Sequence, residues 1–302
     1  MRRLIAIGRV ATLVGMTILL AGGLACLRVL RVDRPEATGR RTDRFVQRWA
    51  RAARRVIGMR IRIDGTLPGG PVALVANHLS YVDIIALWCV IPGVFVARAD
   101  VASWTLIGQA GRLVGTVFVD RKRKRDLLRV IEEMEAPLRE GRNVIFFPEG
   151  TSSRGERVLP FKSSLFEPAA RHAIPIVGAS LQFETAPAEK SADWSVCWWG
   201  DMTFGPHAFA LLHQPGFEAR IRFSSPLRLE PGTDGSSFSA PSIPAPAREG
   251  NARGARGSDL RHAPGKDRKQ LCCLAQESVE KLFVPTAPAR DAVPRTDAGQ
   301  RP

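Results

Sequence analysis

The chain has 302 residues, of which 45% are hydrophobic, so it is long enough for one large domain or two small ones. Its 44 Lys and Arg outnumber 29 Asp and Glu, for a formal net charge of +15. Such a balance favours an anionic partner, meaning nucleic acid, anionic lipid or a phosphorylated substrate. The five cysteines form no CxxC pair, which argues against a disulfide framework and a zinc site and favours a reducing compartment.

The N-terminal segment is predicted to be a membrane anchor over residues 1–35. Residues 10–27 are apolar or small, apart from two threonines, and carry no charge. As a helix they would span about 27 Å, enough for a thin bilayer. A cleaved signal peptide and a buried core helix are the alternatives. More arginines follow this segment than precede it, which predicts an inner-membrane protein whose main domain faces the cytoplasm.

Strands and helices alternate after the anchor. Apolar spacing predicts a helix that includes Phe45, Trp49 and Ile57, and alternation predicts a strand at 59–63. The following strands and helices are expected in turn at 71–77, 80–91, 94–99, 103–115, 116–121, 124–141, 142–151, 161–173, 174–181 and 219–229. This order predicts an α/β domain over 36–230, with a mostly parallel sheet flanked by helices.

The C-terminal part differs in composition. Residues 231–265 are rich in Pro, Gly, Ser and Ala, which predicts a flexible insert with little to bury. A helix is expected over 266–286, followed by a disordered tail over 287–302.

The polar residues of interest follow apolar strands, at the sheet edge where α/β proteins bind ligands. His78 lies where one strand passes into a helix, and Asp83 lies one turn inside that helix. A neutral histidine can accept a proton from an alcohol, and a carboxylate on its other ring nitrogen would orient it. The spacing of Ser80 and Asp83 equally fits a capping box, in which Asp83 only caps its helix.

Two further loops carry phosphate-binding chemistry. In the loop 146–155, Gly150 permits close backbone approach and Arg154 offers a fork for phosphate, between which stand the hydroxyls of Thr151, Ser152 and Ser153. A plain polar turn is the alternative. In the basic run 121–125, Arg121 is the best candidate for the pocket, and Lys162 is either a phosphate ligand or a surface residue.

The sequence contains no motif typical of the other common enzyme chemistries. The chain contains no G-x-S-x-G elbow, no H-E-x-x-H and no phosphate loop or dinucleotide fingerprint. Serine hydrolysis of the α/β type, zinc catalysis and nucleotide binding are therefore not expected.

The motifs "NHLSYVD" (77–83), "GTVFVDR" (115–121), "FPEGTSS" (147–153) and "IPIVGAS" (174–180) occur in that order. The set resembles the four blocks of the 1-acylglycerol-3-phosphate acyltransferase family, within the glycerolipid acyltransferase superfamily, over roughly residues 45–230 and the helix near 266–284. The resemblance implies an α/β fold with His78 as base and Asp83 as its support. It also implies acceptor binding by the second and third blocks, through Arg121, Glu149 and Gly150, with Thr151 and Ser153 as further candidates. The other candidate substrate-binding residues are Asn77 and Ser80 of the first block, Arg154 and Lys162.

The family resemblance further implies an acyl-CoA or acyl-carrier-protein donor, a lysolipid acceptor, and neither a metal nor a cofactor. Ser152 stands where the family often has arginine, Gly178 where it has a second proline, and Thr105 where it often has proline. The tryptophan-rich stretch 194–216 resembles a bacterial subgroup that includes acyltransferases acting on lyso-ornithine lipid.

The predicted function is a membrane-anchored O-acyltransferase whose expected acceptor is lysophosphatidic acid. Lyso-ornithine lipid is the alternative acceptor. A non-catalytic basic protein that binds anionic lipid or nucleic acid is the alternative class, although no nucleic acid is expected as a partner.

Overall fold

The computed structural model describes residues 2–29, 35–120, 126–227 and 266–287. Within these ranges the helices are α1 Arg2–Val29, α2 Pro35–Val56, α3 Val82–Val90, α4 Thr105–Val114, α5 Asp126–Arg139, α6 Glu167–Arg171, α7 Ala192–Ser195, α8 Phe204–Leu212 and α9 Lys266–Leu282. The strands are β1 Met59–Asp64, β2 Ala73–Ala76, β3 Val94–Arg98, β4 Val117–Val119, β5 Val144–Phe146, β6 Ile176–Glu184 and β7 Phe217–Phe223.

The strands form a seven-stranded sheet in the order β1-β7-β6-β2-β5-β3-β4. Every neighbouring pair is parallel except β6 and β7, which are antiparallel. The predicted α/β fold with a mostly parallel sheet is therefore confirmed. Because β2 and β5 are parallel neighbours, the loops that follow them leave the same edge of the sheet side by side.

Both faces of the central strands are buried, which explains their continuous apolar runs. Leu74 and Ile145 belong to one apolar cluster, together with Leu87 of α3. Val75 and Phe146, their successors along the strands, belong to a second cluster on the opposite face with residues of α5 and α9. Packing on both faces holds β2 and β5 rigidly in place, and thereby fixes the starting points of the two loops that follow them.

The predicted apolar N-terminal helix is present as α1. Residues Arg2–Cys26 are long and apolar enough to cross a membrane, and only 6% of the most apolar stretch is buried. A core helix would be mostly buried, so that alternative does not fit. The guanidinium of Arg9 donates to the backbone oxygens of Leu212 and Gln214 at 2.9 and 2.6 Å, which ties α1 to the end of α8. Crossing of a bilayer stays a prediction.

Several predicted boundaries were wrong. The helix expected over 161–173 is a 3₁₀ turn, Ser163–Phe166, followed by the short α6. The last strand ends at Phe223 rather than near residue 229. Ala287, the first residue of the predicted tail, is buried and its amide approaches the oxygen of Gly155 at 3.3 Å. The predicted insert 231–265 and the tail from residue 288 lie outside the described residues.

Candidate active site

The loop after β2 begins with a side chain that continues the sheet. The Asn77 amide donates to the backbone oxygen of Leu181 on β6 at 3.0 Å and accepts from the Leu181 amide at 2.7 Å. Asn77 is 1% exposed. Its polar atoms are thus used inside the protein, and the structure does not place them toward a ligand.

His78 and Asp83 form a hydrogen-bonded pair. The Nδ1 of His78 lies 2.7 Å from the Oδ2 of Asp83, and the imidazole stacks on the ring of Phe147 with centroids 4.1 Å apart. The Asp83 side chain is fully buried, whereas that of His78 is 20% exposed. Because a carboxylate accepts at Nδ1, the proton belongs on Nδ1 and Nε2 is the basic nitrogen.

Asp83 also caps the loop, so its contact with His78 and a capping role coexist. The same Oδ2 accepts from the backbone amides of Leu79 and Ser80 at 2.7 and 2.9 Å. These bonds hold the loop against the first turn of α3 and fix the carboxylate for His78. The reciprocal half of a capping box is missing, because the buried Ser80 hydroxyl has no hydrogen-bond partner among the described residues.

Glu149, in the loop after β5, contacts the backbone of the loop after β2. It is 3% exposed. Its two oxygens accept from the backbone amides of His78 and Leu159 at 3.3 and 3.1 Å. Burial raises the pKa of Glu149 to about 8, although both backbone hydrogen bonds act to lower it. The predicted acceptor ligand is therefore a buried bridge between the two loops.

Ser153 joins the same two loops. Its amide donates to the His78 backbone oxygen at 2.9 Å, and its hydroxyl does so at 3.3 Å. Gly150 makes the intervening turn possible with a φ of +78°. Gly150 and Thr151 line the cavity beside His78, so these two predicted residues share its space.

Arg154 does not offer the open phosphate fork that the sequence predicted. Its guanidinium donates to Asp193 at 2.8 Å and to Glu156 at 3.2 Å. It also lies over the rings of Trp194 and Trp199. These carboxylates already occupy the fork. Lys162 is exposed and is not among the residues that line the cavity.

Arg121, the remaining predicted head-group ligand, lies outside the described residues. The polar residues of the two loops, in contrast, come together as the sequence predicted, although most of them contact one another rather than open space.

A largely apolar cavity of about 510 Å³ opens beside His78. Leu13, Thr17 and Leu20 of α1 form part of its wall. Among the described lining residues, Arg98 is the single Lys or Arg, and it is paired with Asp100 at 2.9 Å. The aromatic lining residues include Tyr81, Trp88, Trp104, Trp198 and Phe204. A cavity of this composition suits a hydrocarbon chain.

The aromatic residues that shape this site were not predicted from the sequence. Phe147 stacks on His78, and the Tyr81 hydroxyl lies 3.0 Å from the Nδ1 of His207. Burial raises the pKa of Tyr81 and lowers that of His207. Tyr81 lies in the first block and Phe147 in the third. Their positions in these blocks were the sequence signal that could have identified them as site residues.

Similarity to known proteins identifies the family. A family model described as Acyltransferase matches residues 58–182. The chain is 34% identical to the lyso-ornithine lipid O-acyltransferase of Brucella abortus, over 61% of this chain and 73% of that protein. The chain belongs to the acyltransferase family. This membership confirms the family that the four blocks predicted.

Other family members match over different lengths. The lyso-ornithine lipid O-acyltransferase of Rhizobium meliloti is 34% identical over 58% of this chain, which spans 64% of that protein. The 1-acyl-sn-glycerol-3-phosphate acyltransferase of Neisseria gonorrhoeae is 35% identical over 41% of this chain, which spans about half (49%) of that protein.

A solved structure shares the fold. The crystal structure of the 1-acyl-sn-glycerophosphate acyltransferase from Thermotoga maritima superposes with a TM-score of 0.55 at 18% identity, covering 93% of this chain and 98% of that chain. At this identity the likeness shows the fold alone.

Proposed function

We propose that the protein transfers a fatty acyl group from an acyl thioester to the free hydroxyl of a lysolipid. The observation that carries this proposal is the His78–Asp83 pair at the edge of an apolar cavity of about 510 Å³. The pair supplies a base, and the cavity supplies space for a hydrocarbon chain. A non-catalytic basic protein would need neither of them.

His78 acts as general base in this mechanism. Its Nε2 takes the proton of the acceptor hydroxyl as the oxygen attacks the thioester carbonyl carbon. Asp83 stabilises the imidazolium that forms and keeps the ring in the required tautomer. As the tetrahedral intermediate collapses, the carbon–sulfur bond breaks and the leaving thiolate takes that proton. The products are the acylated lipid and a free thiol, from either acyl-CoA or acyl-carrier protein.

The acceptor we favour is lyso-ornithine lipid, which reverses the order expected from the sequence. Relatives with that name match 58–65% of this chain, against 41% for the Neisseria acylglycerol-phosphate enzyme. Among the described residues, Arg98 lines the cavity and is paired with Asp100, and Arg154, which contacts the cavity-lining Trp199, is paired with Asp193. This arrangement does not favour a phosphate head group.

Lysophosphatidic acid is the second candidate acceptor. It is supported by the Neisseria relative and by Arg121 of the second block, which we propose as the head-group contact in that case. Gly150 and Thr151, which line the cavity, would contact either acceptor.

We further propose that α1 anchors the protein in the inner membrane with the main domain on the cytoplasmic side. The length and apolar composition of α1 support the anchor. The arginines that follow it support the orientation. This placement would keep the cavity next to the lipid that supplies the acceptor.

The test is acyl transfer by the purified protein to each lysolipid, with acyl-CoA and with acyl-carrier protein as donor. We expect acylated ornithine lipid, and His78→Ala is expected to lower the rate about 10²- to 10⁴-fold, the contribution of a general base. His172→Ala, a half-exposed histidine after α6, is the matched control and should leave the rate unchanged.

Product from lysophosphatidic acid alone would replace the first acceptor with the second. No transfer to either lysolipid from either donor, or an unchanged rate in His78→Ala, would contradict the proposal.

A further inference from the structure

We propose that Arg154 is a positioning residue that holds one wall of the catalytic cavity. Through Asp193 it fixes residues 193–199, here called the tryptophan segment, against the two catalytic loops. This inference rests on the proposed function for its kinetic consequence, but its structural part stands without it.

Arg154 and Asp193, at the start of the tryptophan segment, form a compact ion pair. Two nitrogens of Arg154 contact the same Oδ2 of Asp193, Nε at 2.8 Å and Nη2 at 2.7 Å. The Asp193 side chain is only 3% exposed, and that of Arg154 is 20% exposed. Removing Arg154 would leave a buried carboxylate without its counter-charge, which is strongly destabilising locally.

Aromatic rings enclose the same guanidinium. Its central carbon lies 5.3 Å from the ring centre of Trp194 and 5.7 Å from that of Trp199, within range of cation–π attraction. The indole nitrogen of Trp199 donates to the backbone oxygen of Asp193 at 2.8 Å. Arg154 is therefore the centre around which the tryptophan segment folds.

The other end of the segment contacts the catalytic loop. The amide of Trp198 donates to the backbone oxygen of Leu79, next to His78, at 2.8 Å. Trp198 and Trp199 line the cavity. The tryptophan segment is thus held at both ends. Asp193 contacts Arg154, which directly follows the third block, and Trp198 contacts Leu79 of the first block. A shift of this segment would move the cavity wall beside the base.

A positioning role and a ligand role predict different kinetics. An arginine that binds the acceptor phosphate would raise KM for the phosphate-bearing acceptor when removed, and Asp193 would not share that effect. A positioning arginine acts through Asp193, so removal of either residue should lower kcat for every acceptor that the wild type uses.

The experiment compares Arg154→Ala, Asp193→Ala and the double variant in the full-length protein. Arg157→Ala is the control, because Arg157 is an exposed arginine of the same loop. We measure kcat and KM with both lysolipids, and hydrogen exchange of peptides covering 193–199. These peptides include the Trp198 amide, which donates to Leu79.

We expect each single variant to lose at least about tenfold in kcat, since a small misplacement near the reacting atoms costs up to about 10²-fold. The double variant should be no worse than the larger single loss, because both residues belong to one unit. Exchange of the segment should accelerate severalfold in all three, while Arg157→Ala stays within about twofold in kcat.

Three outcomes would overturn the inference. They are a selective rise in KM for lysophosphatidic acid in Arg154→Ala with Asp193→Ala unchanged, losses that multiply in the double variant, and unaltered exchange of the segment. If the alanine variants do not fold, Arg154→Lys and Asp193→Asn give the same comparison with smaller effects. If the wild type acylates neither lysolipid, the proposed function fails, and the exchange measurement alone decides the positioning role.

Discussion

The loops after β2 and β5 both carry buried or half-buried polar residues, but they use them differently. In the first loop, His78 lines the cavity, and its imidazole is held by the buried carboxylate of Asp83 in the first turn of α3. In the second loop, Glu149 and Ser153 hold the backbone of His78, one through its amide and the other through its oxygen. On the proposed mechanism, one loop carries the reactive group and the other supports it.

This contrast teaches that residues of a motif can be necessary without touching a substrate. A side chain that fixes the base within a few tenths of an ångström contributes to catalysis as a support. The variants below test that division. We expect the largest loss from the carboxylate that holds His78, smaller losses from the groups that hold its backbone, and the smallest from a hydroxyl with no hydrogen-bond partner among the described residues.

The largest effect is expected from Asp83→Asn. The amide would present a donor or a weaker acceptor to Nδ1, so the imidazole would lose its tautomer and its counter-charge. By analogy with the same change in serine proteases, kcat should fall about 10³- to 10⁴-fold with little change in KM. Steady-state kinetics would measure this, with the exposed Asp201→Asn as control. A loss below tenfold would show that Asp83 is only a cap.

A smaller effect is expected from Glu149→Gln. A glutamine has one acceptor oxygen, so it can serve only one of the amides of His78 and Leu159. We expect kcat to fall by roughly tenfold, because a support rather than a reacting group is impaired. If KM for one acceptor rises instead while kcat is unchanged, Glu149 binds substrate and the contrast between the loops is wrong.

Glu149 also predicts a pH dependence of stability. Its folded pKa of about 8 lies above the usual 4.5, so the folded state binds its proton more tightly than the unfolded state does. The stability that this group contributes is present at low pH and is lost as pH rises from about 4.5 to 8. The Tm difference between wild type and Glu149→Gln should therefore shrink or reverse across that range. A constant difference would contradict the raised pKa.

Ser153→Ala should have a modest effect. The variant loses the hydroxyl bond to the His78 oxygen but keeps the shorter amide bond to the same atom. A neutral hydrogen bond contributes about 1 kcal/mol, so we expect a loss of about twofold to fivefold in kcat. A loss comparable to that of Asp83→Asn would place Ser153 among the reacting groups.

Ser80→Ala should have the smallest effect. The Ser80 hydroxyl is buried and has no hydrogen-bond partner among the described residues, so nothing is broken by its removal. We expect Tm to stay the same or rise, with kcat within about twofold. A large fall in either quantity would reveal a partner for this hydroxyl, such as an ordered water or the acceptor itself.

Local patterns predicted most of the fold. Apolar runs of four to six residues and helical spacing placed the strands and helices, since these depend on neighbours in the chain. The antiparallel pairing of β6 with β7 was not predicted, because it depends on contacts between distant residues. The pairing of His78 with Asp83 was predicted, because the two residues are five positions apart.

Long-range contacts limited the prediction of the site. Asp193 lies 39 residues beyond Arg154, and no local pattern indicates that this carboxylate occupies the guanidinium. From its composition, α1 was predicted only as a membrane anchor. Leu13 and Leu20 of this helix also line the cavity. A helix that faces lipid and a helix that faces a lipid-binding cavity have the same apolar composition, so their sequences do not distinguish the two.

The amide of Asn77 continues the hydrogen-bonding ladder of β2 beyond its last residue, Ala76, by using a side chain in place of backbone. His78 is consequently the neighbour of a fixed point rather than a member of a free loop. Folding therefore fixes the backbone that precedes His78, the proposed base, once for the lifetime of the molecule. A base on a free loop would have to be ordered again in every catalytic cycle, and each turnover would be slowed by that entropy.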